Sequence, residues 1–186
     1  SDYVYDGERP VHAEDEPLAP LGVYGQTKAA GDALVATLPS HHILRTSWLI
    51  GAGPNFVRTM HRLAASGASP AVVDDQLGRP TFTADLAQAA LHLLAVRAAP
   101  GIYHASNSGP VVSWHALAGQ VFELSGRDPA DVRPVTTAEY LADHPGAAPR
   151  PRHSALDTAK LQATGFSPPD WQPRLAESVR ALAAES

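Results

Sequence analysis

Two residues one helical turn apart could do proton chemistry in this chain: Tyr24 and Lys28, in the run Tyr24-Gly25-Gln26-Thr27-Lys28. At an i, i+4 spacing near the start of a predicted helix, both side chains leave one face. An isolated tyrosine titrates near pH ~10 and is a slow proton donor at neutral pH. A lysine ammonium held beside it stabilises a phenolate and brings such a group toward the working range. The spacing alone is common, and its bland reading is an exposed helix pair of no consequence. Upstream, Ser1 opens the run Ser1-Asp2-Tyr3-Val4-Tyr5-Asp6-Gly7, which reads as a strand end. Such an end places a hydroxyl at the mouth of an α/β sheet, where ligands bind. The Pro-rich loop from Asp6 to Leu21 lets Ser1 and Tyr24 converge. A Ser hydroxyl then holds a substrate oxygen while Tyr24 delivers the proton.

The elements that must position these groups alternate between strand and helix. An Ala-rich helix is expected from Val23 to Leu38, stopped by Pro39. His42 to Ile50 reads as one buried strand ended by Gly51 and Gly53. Phe56, Val57, Met60, Leu63 and Ala64 recur at helical spacing, Ala71 to Val73 is a short strand, and Asp74 to Pro80 is a polar loop. Thr83 is a candidate cap for a helix burying Leu86, Ala89, Ala90, Leu93 and Leu94; Gly101 to Ala105 is a further strand. Ser113 caps a helix that buries Leu117, Ala118, Val121 and Leu124. Beyond Gly126 the chain is Pro-rich, with a short strand at Val132 to Val135 and a brief helix capped by Asp157. Pro173 suits the first turn of a last helix with Leu175, Val179 and Leu182 inward. Strands alternating with helices imply an α/β fold with a mainly parallel sheet.

Composition narrows the classes. The 186 residues carry 14 Lys and Arg against 19 Asp and Glu, a net charge of −5 with no basic stripe, so nucleic acid is not an expected partner. There is no cysteine, which excludes disulfides, thiolate zinc sites and cysteine nucleophiles and fits a reducing cytoplasm. No apolar run approaches the ~20 residues of a membrane span. The nine histidines show no ligand spacing, so no protein metal site is expected; Asp74-Asp75 reads as a solvated turn. Ser106, Ser108 and Ser113 lack a nucleophile-elbow context, which disfavours hydrolase chemistry.

Six segments in order now form a recognisable pattern. Ser1 to Gly7 resembles the stretch of the dTDP-4-dehydrorhamnose reductase family that carries the catalytic hydroxyl, and Tyr24 to Lys28 resembles the Tyr and Lys of the extended short-chain dehydrogenases. Arg45-Thr46-Ser47-Trp48-Leu49 is similar to the family strand whose Trp lies against the sugar nucleotide. Asp75 to Thr81, Gly101 to His104, and Arg150-Pro151 with Ser154 to Thr158 continue the likeness. Related epimerases and dehydratases share Tyr and Lys but have a small-residue run where this chain has Asp2-Tyr3-Val4, which favours the reductase branch.

The resemblance implies a Rossmann-like, NAD(P)-binding, doubly wound parallel sheet with a small C-terminal substrate-binding lobe. Residues 1–105 would hold the remaining part of the Rossmann-like domain and 106–186 mostly the lobe, with interleaving segments. It implies hydride transfer from NADPH (or NADH) to the C4 ketone of a dTDP-4-dehydro-6-deoxy sugar. Tyr24 would donate the proton, Lys28 would hold the nicotinamide ribose, and Ser1, where the family commonly has Thr, would bond the carbonyl oxygen. Asp2 and Trp48 would help hold the sugar nucleotide. From the residues alone, Trp48 in an apolar strand is more often core than ligand, and Arg45 reads as a paired structural arginine. Arg79 and Arg150 are solvated loop residues by default; their matched segments suggest diphosphate or substrate contacts. Family members can use Mg2+, which nothing here places, and a homodimer is allowed for.

One departure is large. A nicotinamide reductase of this fold needs a Gly-rich turn at a helix N-terminus for pyrophosphate. Gly51-Ala52-Gly53 lacks the third glycine and lies after Tyr24, and Gly22, Gly25 and Gly31 read as turn or packing glycines. The expectation is therefore a fragment with the cofactor-phosphate half missing, poorly stable or self-associating alone. The rival readings are a non-catalytic chain that keeps the fold as a binding surface, and another 4-ketoreductase or epimerase of the superfamily.

Overall fold

The computed structural model describes residues 1–185. In chain order the elements are helix α1 (Val23–Val35), strands β1 (His42–Arg45) and β2 (Leu49–Ile50), helix α2 (Phe56–Ala65), and strands β3 (Ala71–Val73), β4 (Leu77–Gly78) and β5 (Thr81–Phe82). Then follow helix α3 (Thr83–Ala95), strands β6 (Gly101–His104) and β7 (Val112–Ser113), helix α4 (Trp114–Leu124), strand β8 (Arg133–Val135), and helices α5 (Thr137–Asp143), α6 (Ala159–Gln162) and α7 (Trp171–Ala184). No helix among the described residues is long and apolar enough to cross a membrane.

Among the described residues the strands form two-stranded pairs, three parallel and one antiparallel. β1 runs parallel to β6 with Ile43 opposite Ile102 and Arg45 opposite His104; β2 pairs with β5 and β3 with β8 in the same sense. The antiparallel pair is β4 with β7. Successive strand residues point to opposite faces, and here each face has its own helix. Leu44 and Tyr103 pack with Ala89 and Leu93 of α3, whereas Arg45 reaches Asp32 of α1. That is the α/β arrangement expected from the alternating pattern.

The largest core packs Val57, Met60 and Ala64 of α2 against Leu117, Val121 and Phe122 of α4 and Leu175, Val179 and Leu182 of α7. It and the smaller core around α3 both draw residues from either side of position 105. Ser113 caps α4 by accepting from the Ala116 N–H, as expected, and Leu124 stays exposed.

Several local expectations give way to tertiary packing. The run at Tyr3 is not a strand end: Asp2–Val4 forms a 3-10 turn, with the Ser1 hydroxyl accepting from the Tyr3 N–H at 3.3 Å. That cap closes the turn locally, and the Asp2 N–H donating to the Thr46 carbonyl at 3.0 Å fixes it against a distant segment. The single strand from His42 to Ile50 is broken between β1 and β2, because Trp48 adopts a left-handed φ of 46°. Such a conformation costs a non-glycine residue about 1–3 kcal/mol, and packing offsets it. The Trp48 indole stacks on Trp114 at 3.7 Å and lies over Gly78, where an added Cβ would sit 2.6 Å from the ring. Asp74 to Pro80 is not wholly loop, since it contains β4. Thr83 is the first residue of α3 rather than its cap, and Leu94 faces solvent. Helix α5 was not expected at all. The signature was present: Thr136 and Glu139 form a reciprocal capping box.

Candidate active site

Helix α1 carries Tyr24 and Lys28, and the fold brings it against the turn that carries Ser1 and Asp2. The close approach depends on Gly25. It is the one α1 residue fully buried, and a Cβ built there would lie 2.1 Å from the Tyr3 carbonyl oxygen and 2.8 Å from Pro20. Across this contact the Tyr24 ring meets Tyr3 edge-on, with centroids 5.5 Å apart. Tyr24 remains 55% exposed, so its hydroxyl is open to a ligand. The Lys28 ammonium stands 5.5 Å from the Tyr24 ring centroid, one turn along the same face. It makes no hydrogen bond or ion pair among the described residues.

Tyr24 and Tyr3 line an open cleft of about 650 Å³, closed on its far side by Ala148, Pro149 and Arg150. Ala148 and Arg150 also border a second cavity of about 310 Å³. That cavity is walled by Phe56, Met60, Val72 and Trp114, with Gln76, Thr137 and Tyr140 as its polar rim. Arg150 thus stands where the two meet. It is exposed and forms no hydrogen bond or ion pair among the described residues, so its guanidinium is available to an anion.

The other expected site residues lie outside these walls. Asp2 is buried to 3% exposure; its N–H donates to Thr46, and its Oδ2 is buried without a formed hydrogen bond. Burial pushes the Asp2 carboxyl above its usual range, with the Ser154 and Ser1 hydroxyls opposing. Ser1, half-buried, sets its Oγ 3.4 Å from Asp2 Oδ1. Trp48 lines neither cavity; it stacks behind Trp114, which does. Sequence reading did not single out Trp114 or Tyr140, and it gave Phe56 as a helix residue and Gln76 within a matched segment without placing either in a cavity that long-range packing assembles. Arg45 is paired, as its burial in a strand demands, with Asp32 at 2.8 Å. Arg79 is a structural residue, donating to the Gly109 and Leu156 carbonyls.

The glycines after β2 do not make a phosphate cradle. A Cβ at Gly51 would strike the Thr83 side chain, and the N-terminus of α2 is capped by Asn55. Asp74 receives a short bond from Ser113, and Asp75 caps α5 through Thr137. Asp6, His12 and Glu16 bring ligand atoms within 4.8 Å of one another, a grouping their spacing hides; His12 already bonds Glu16 at 3.0 Å.

Strand pairs with helices on both faces make an α/β chain, with a Tyr and a Lys one turn apart beside a cleft. The dTDP-glucose 4,6-dehydratase of Bacillus anthracis shares that fold, with a TM-score of 0.80 over the whole chain at 20% identity. More specifically, the chain belongs to the RmlD substrate binding domain family, whose pattern matches residues 1–184. It is 47% identical to a dTDP-4-dehydrorhamnose reductase of Streptomyces griseus, over 98% of this chain and 61% of that protein. A probable dTDP-4,6-dihydroxy-2-methyloxan-3-one 4-ketoreductase of Streptomyces antibioticus is 43% identical over 100% of this chain and 63% of its own length. The crystal structure of a dTDP-4-dehydrorhamnose reductase from Bacillus anthracis in complex with NADP superposes with a TM-score of 0.84. It is 37% identical and covers 100% of this chain, which spans 63% of that one. The chain therefore spans a little over three-fifths of the length of these relatives.

Proposed function

We propose that this chain supplies the proton donor and the sugar-nucleotide side of an NADPH-dependent ketoreductase. Its substrate is a dTDP-4-dehydro-6-deoxy sugar, dTDP-4-dehydro-L-rhamnose first among them. The observation that carries the reading is the placement of Tyr24 on the wall of a cleft that continues, past Arg150, into an apolar cavity. Two relatives, named as a dTDP-4-dehydrorhamnose reductase and a probable 4-ketoreductase of a dTDP-sugar, support it.

The exposed Tyr24 hydroxyl and the uncommitted Lys28 ammonium suit the nicotinamide end of the cofactor, since three ammonium donors are free for ribose hydroxyls. The bound nicotinamide supplies a hydride to C4. Tyr24 gives its proton to the oxygen that becomes the alcohol, and the nearby Lys28 charge stabilises the phenolate left behind. Ser1, whose one hydroxyl proton points to Asp2 Oδ1 in the free chain, turns that proton to the same oxygen when substrate binds. Arg150 takes the diphosphate, for which a free guanidinium is well shaped. The Trp114 face and Phe56 take the base, with Trp48 stacked beneath Trp114.

The test follows NADPH oxidation on adding dTDP-4-dehydro-L-rhamnose, comparing a protein that joins this chain to a cofactor-phosphate segment with its Tyr24→Phe variant. General acid catalysis accounts for about 10²–10⁴ in rate, so Tyr24→Phe is expected to lower kcat by that factor with KM little changed. Full activity in Tyr24→Phe would sink the assignment. Turnover without stoichiometric NADPH loss would point instead to an epimerase.

A further inference from the structure

We infer that Arg45 and Asp32 are positioning residues that hold the Tyr24–Lys28 helix in register with the turn carrying Ser1, an inference that rests on the reductase reading above. Helix α1 has little else to hold it. Apart from Gly25 it buries no residue fully, and Val23 and Leu34 are more than 70% exposed. Among the described residues it is tied down by Gly25 against Tyr3 and Pro20, the Tyr24 ring edge-on to Tyr3, Ala29 against the Val4, Tyr5 and Leu156 cluster, and the ion pair of Asp32 with Arg45.

Arg45 is buried in β1 at 2% exposure. Its Nε donates to Asp32 Oδ2 at 2.8 Å, and its Nη1 donates to the Tyr5 hydroxyl at 2.7 Å. Tyr5 directly follows the Asp2–Val4 turn. One rigid guanidinium therefore grips the helix that bears Tyr24 and Lys28 and the segment that bears Ser1 and Asp2. The planar fork of arginine suits two partners at a fixed angle in a way that a flexible ammonium would not.

The far side of the grip is also fixed. His104 Nδ1 faces the Asp157 carbonyl at 3.1 Å, so that nitrogen carries the proton. Its Nε2 is then an acceptor for the Tyr5 O–H at 2.7 Å. The Arg45–Tyr5–His104 chain thus ends on the Asp157 carbonyl, and the Ala13 carbonyl, 3.0 Å from the Tyr5 hydroxyl, is a second acceptor beside its one proton.

Rotation of α1 is what the pair controls. Tyr24, Lys28 and Asp32 follow in four-residue steps, each advancing about 40° around the axis. Pinning Asp32 sets the direction in which the other two side chains leave the helix. Geometry of this kind matters for rate more than for binding, because a misplacement of about 1 Å can cost about 10²-fold.

The experiment compares the full chain with Asp32→Ala and Asp32→Glu, since losing buried Arg45 itself risks the fold. Hydrogen exchange is read on α1 amides relative to those of α4, and kcat and KM are measured for ketosugar-dependent NADPH oxidation. Asp32→Ala is expected to raise α1 exchange about tenfold over α4 and to lower kcat by up to about 10²-fold, with KM within about twofold. Asp32→Glu should restore most of both. Because Asp32 acts through Tyr24, adding Asp32→Ala to Tyr24→Phe should cost little more than Tyr24→Phe alone. Unchanged α1 protection, or a kcat loss that persists in full on the Tyr24→Phe background, would overturn the inference. No turnover in a wild-type protein that joins this chain to a cofactor-phosphate segment would count against the reductase reading, while the exchange arm on the chain itself would still decide whether the pair pins α1.

Discussion

A methyl group added at Gly25 tests the central contact of the site directly. An alanine Cβ there would lie 2.1 Å from the Tyr3 carbonyl oxygen, against 3.4 Å for the nearest ordinary contact, so α1 must back away by about 1.3 Å. The obstacle is backbone, which cannot rotate aside. Overpacking of this kind typically costs about 1–3 kcal/mol, reduced by the ~1 kcal/mol that alanine gains over glycine in a helix interior. Gly31 lies two turns along the same helix with nothing within 4 Å of its added Cβ, so Gly31→Ala keeps only the helix gain. The expected pattern in urea denaturation is thus opposite signs: Gly25→Ala destabilised by up to about 2 kcal/mol, Gly31→Ala stabilised by up to about 1. The same displacement carries Tyr24 away from the Ser1 turn, so kcat for ketosugar reduction should fall about 10²-fold in Gly25→Ala and stay near wild type in Gly31→Ala. Equal stability shifts in the two variants, or full activity in Gly25→Ala, would refute the argument that this glycine sets the distance between the two halves of the site.

Other expectations follow from the same geometry. If Arg150 meets the diphosphate as proposed, Arg150→Ala should raise KM for the sugar nucleotide by about tenfold or more with kcat nearly intact; a kcat loss at constant KM would contradict that. Trp48→Ala should destabilise the chain by about 3–5 kcal/mol, as expected for an aromatic removed from a packed core; a stable variant with a selective binding defect would instead make Trp48 a ligand contact. Acid should loosen the core through His104, which burial, with Arg45 adding to it, pushes down to about 4. The unfolded chain binds this proton first, so the contribution is complete above the ordinary value near 6.5 and is lost as pH falls toward about 4, some 3 kcal/mol in all. Asp2, with its raised pKa, pulls the other way at the low end. Denaturation midpoints between pH 7 and 4 should therefore fall in wild type and fall less in His104→Gln, and parallel slopes would exclude His104 as the cause.

Features dictated by local chemistry were legible in the order of residues. Helical spacing announced α1, α2 and α7, Ser113 marked the start of α4, and the four-residue step from Tyr24 to Lys28 placed both on one face because a helix allows nothing else. The same order could also have announced α5, whose capping box at Thr136 and Glu139 is written in adjacent residues. Tertiary structure alone decided the rest. Tyr3 looked like strand and became a 3-10 turn, and Trp48 broke a continuous apolar run, because each answers to a partner far along the chain: Asp2 to Thr46, Trp48 to Trp114 and Gly78. Arg45 had to find a carboxylate, but nothing in the strand could say that Asp32 on the preceding helix would supply it. The meeting of the Tyr24 cleft with the Trp114 cavity at Arg150 joins residues more than a hundred positions apart. Period and propensity act over a few residues, whereas a cleft exists only when separate elements pack, and which side chains line it is settled by that packing.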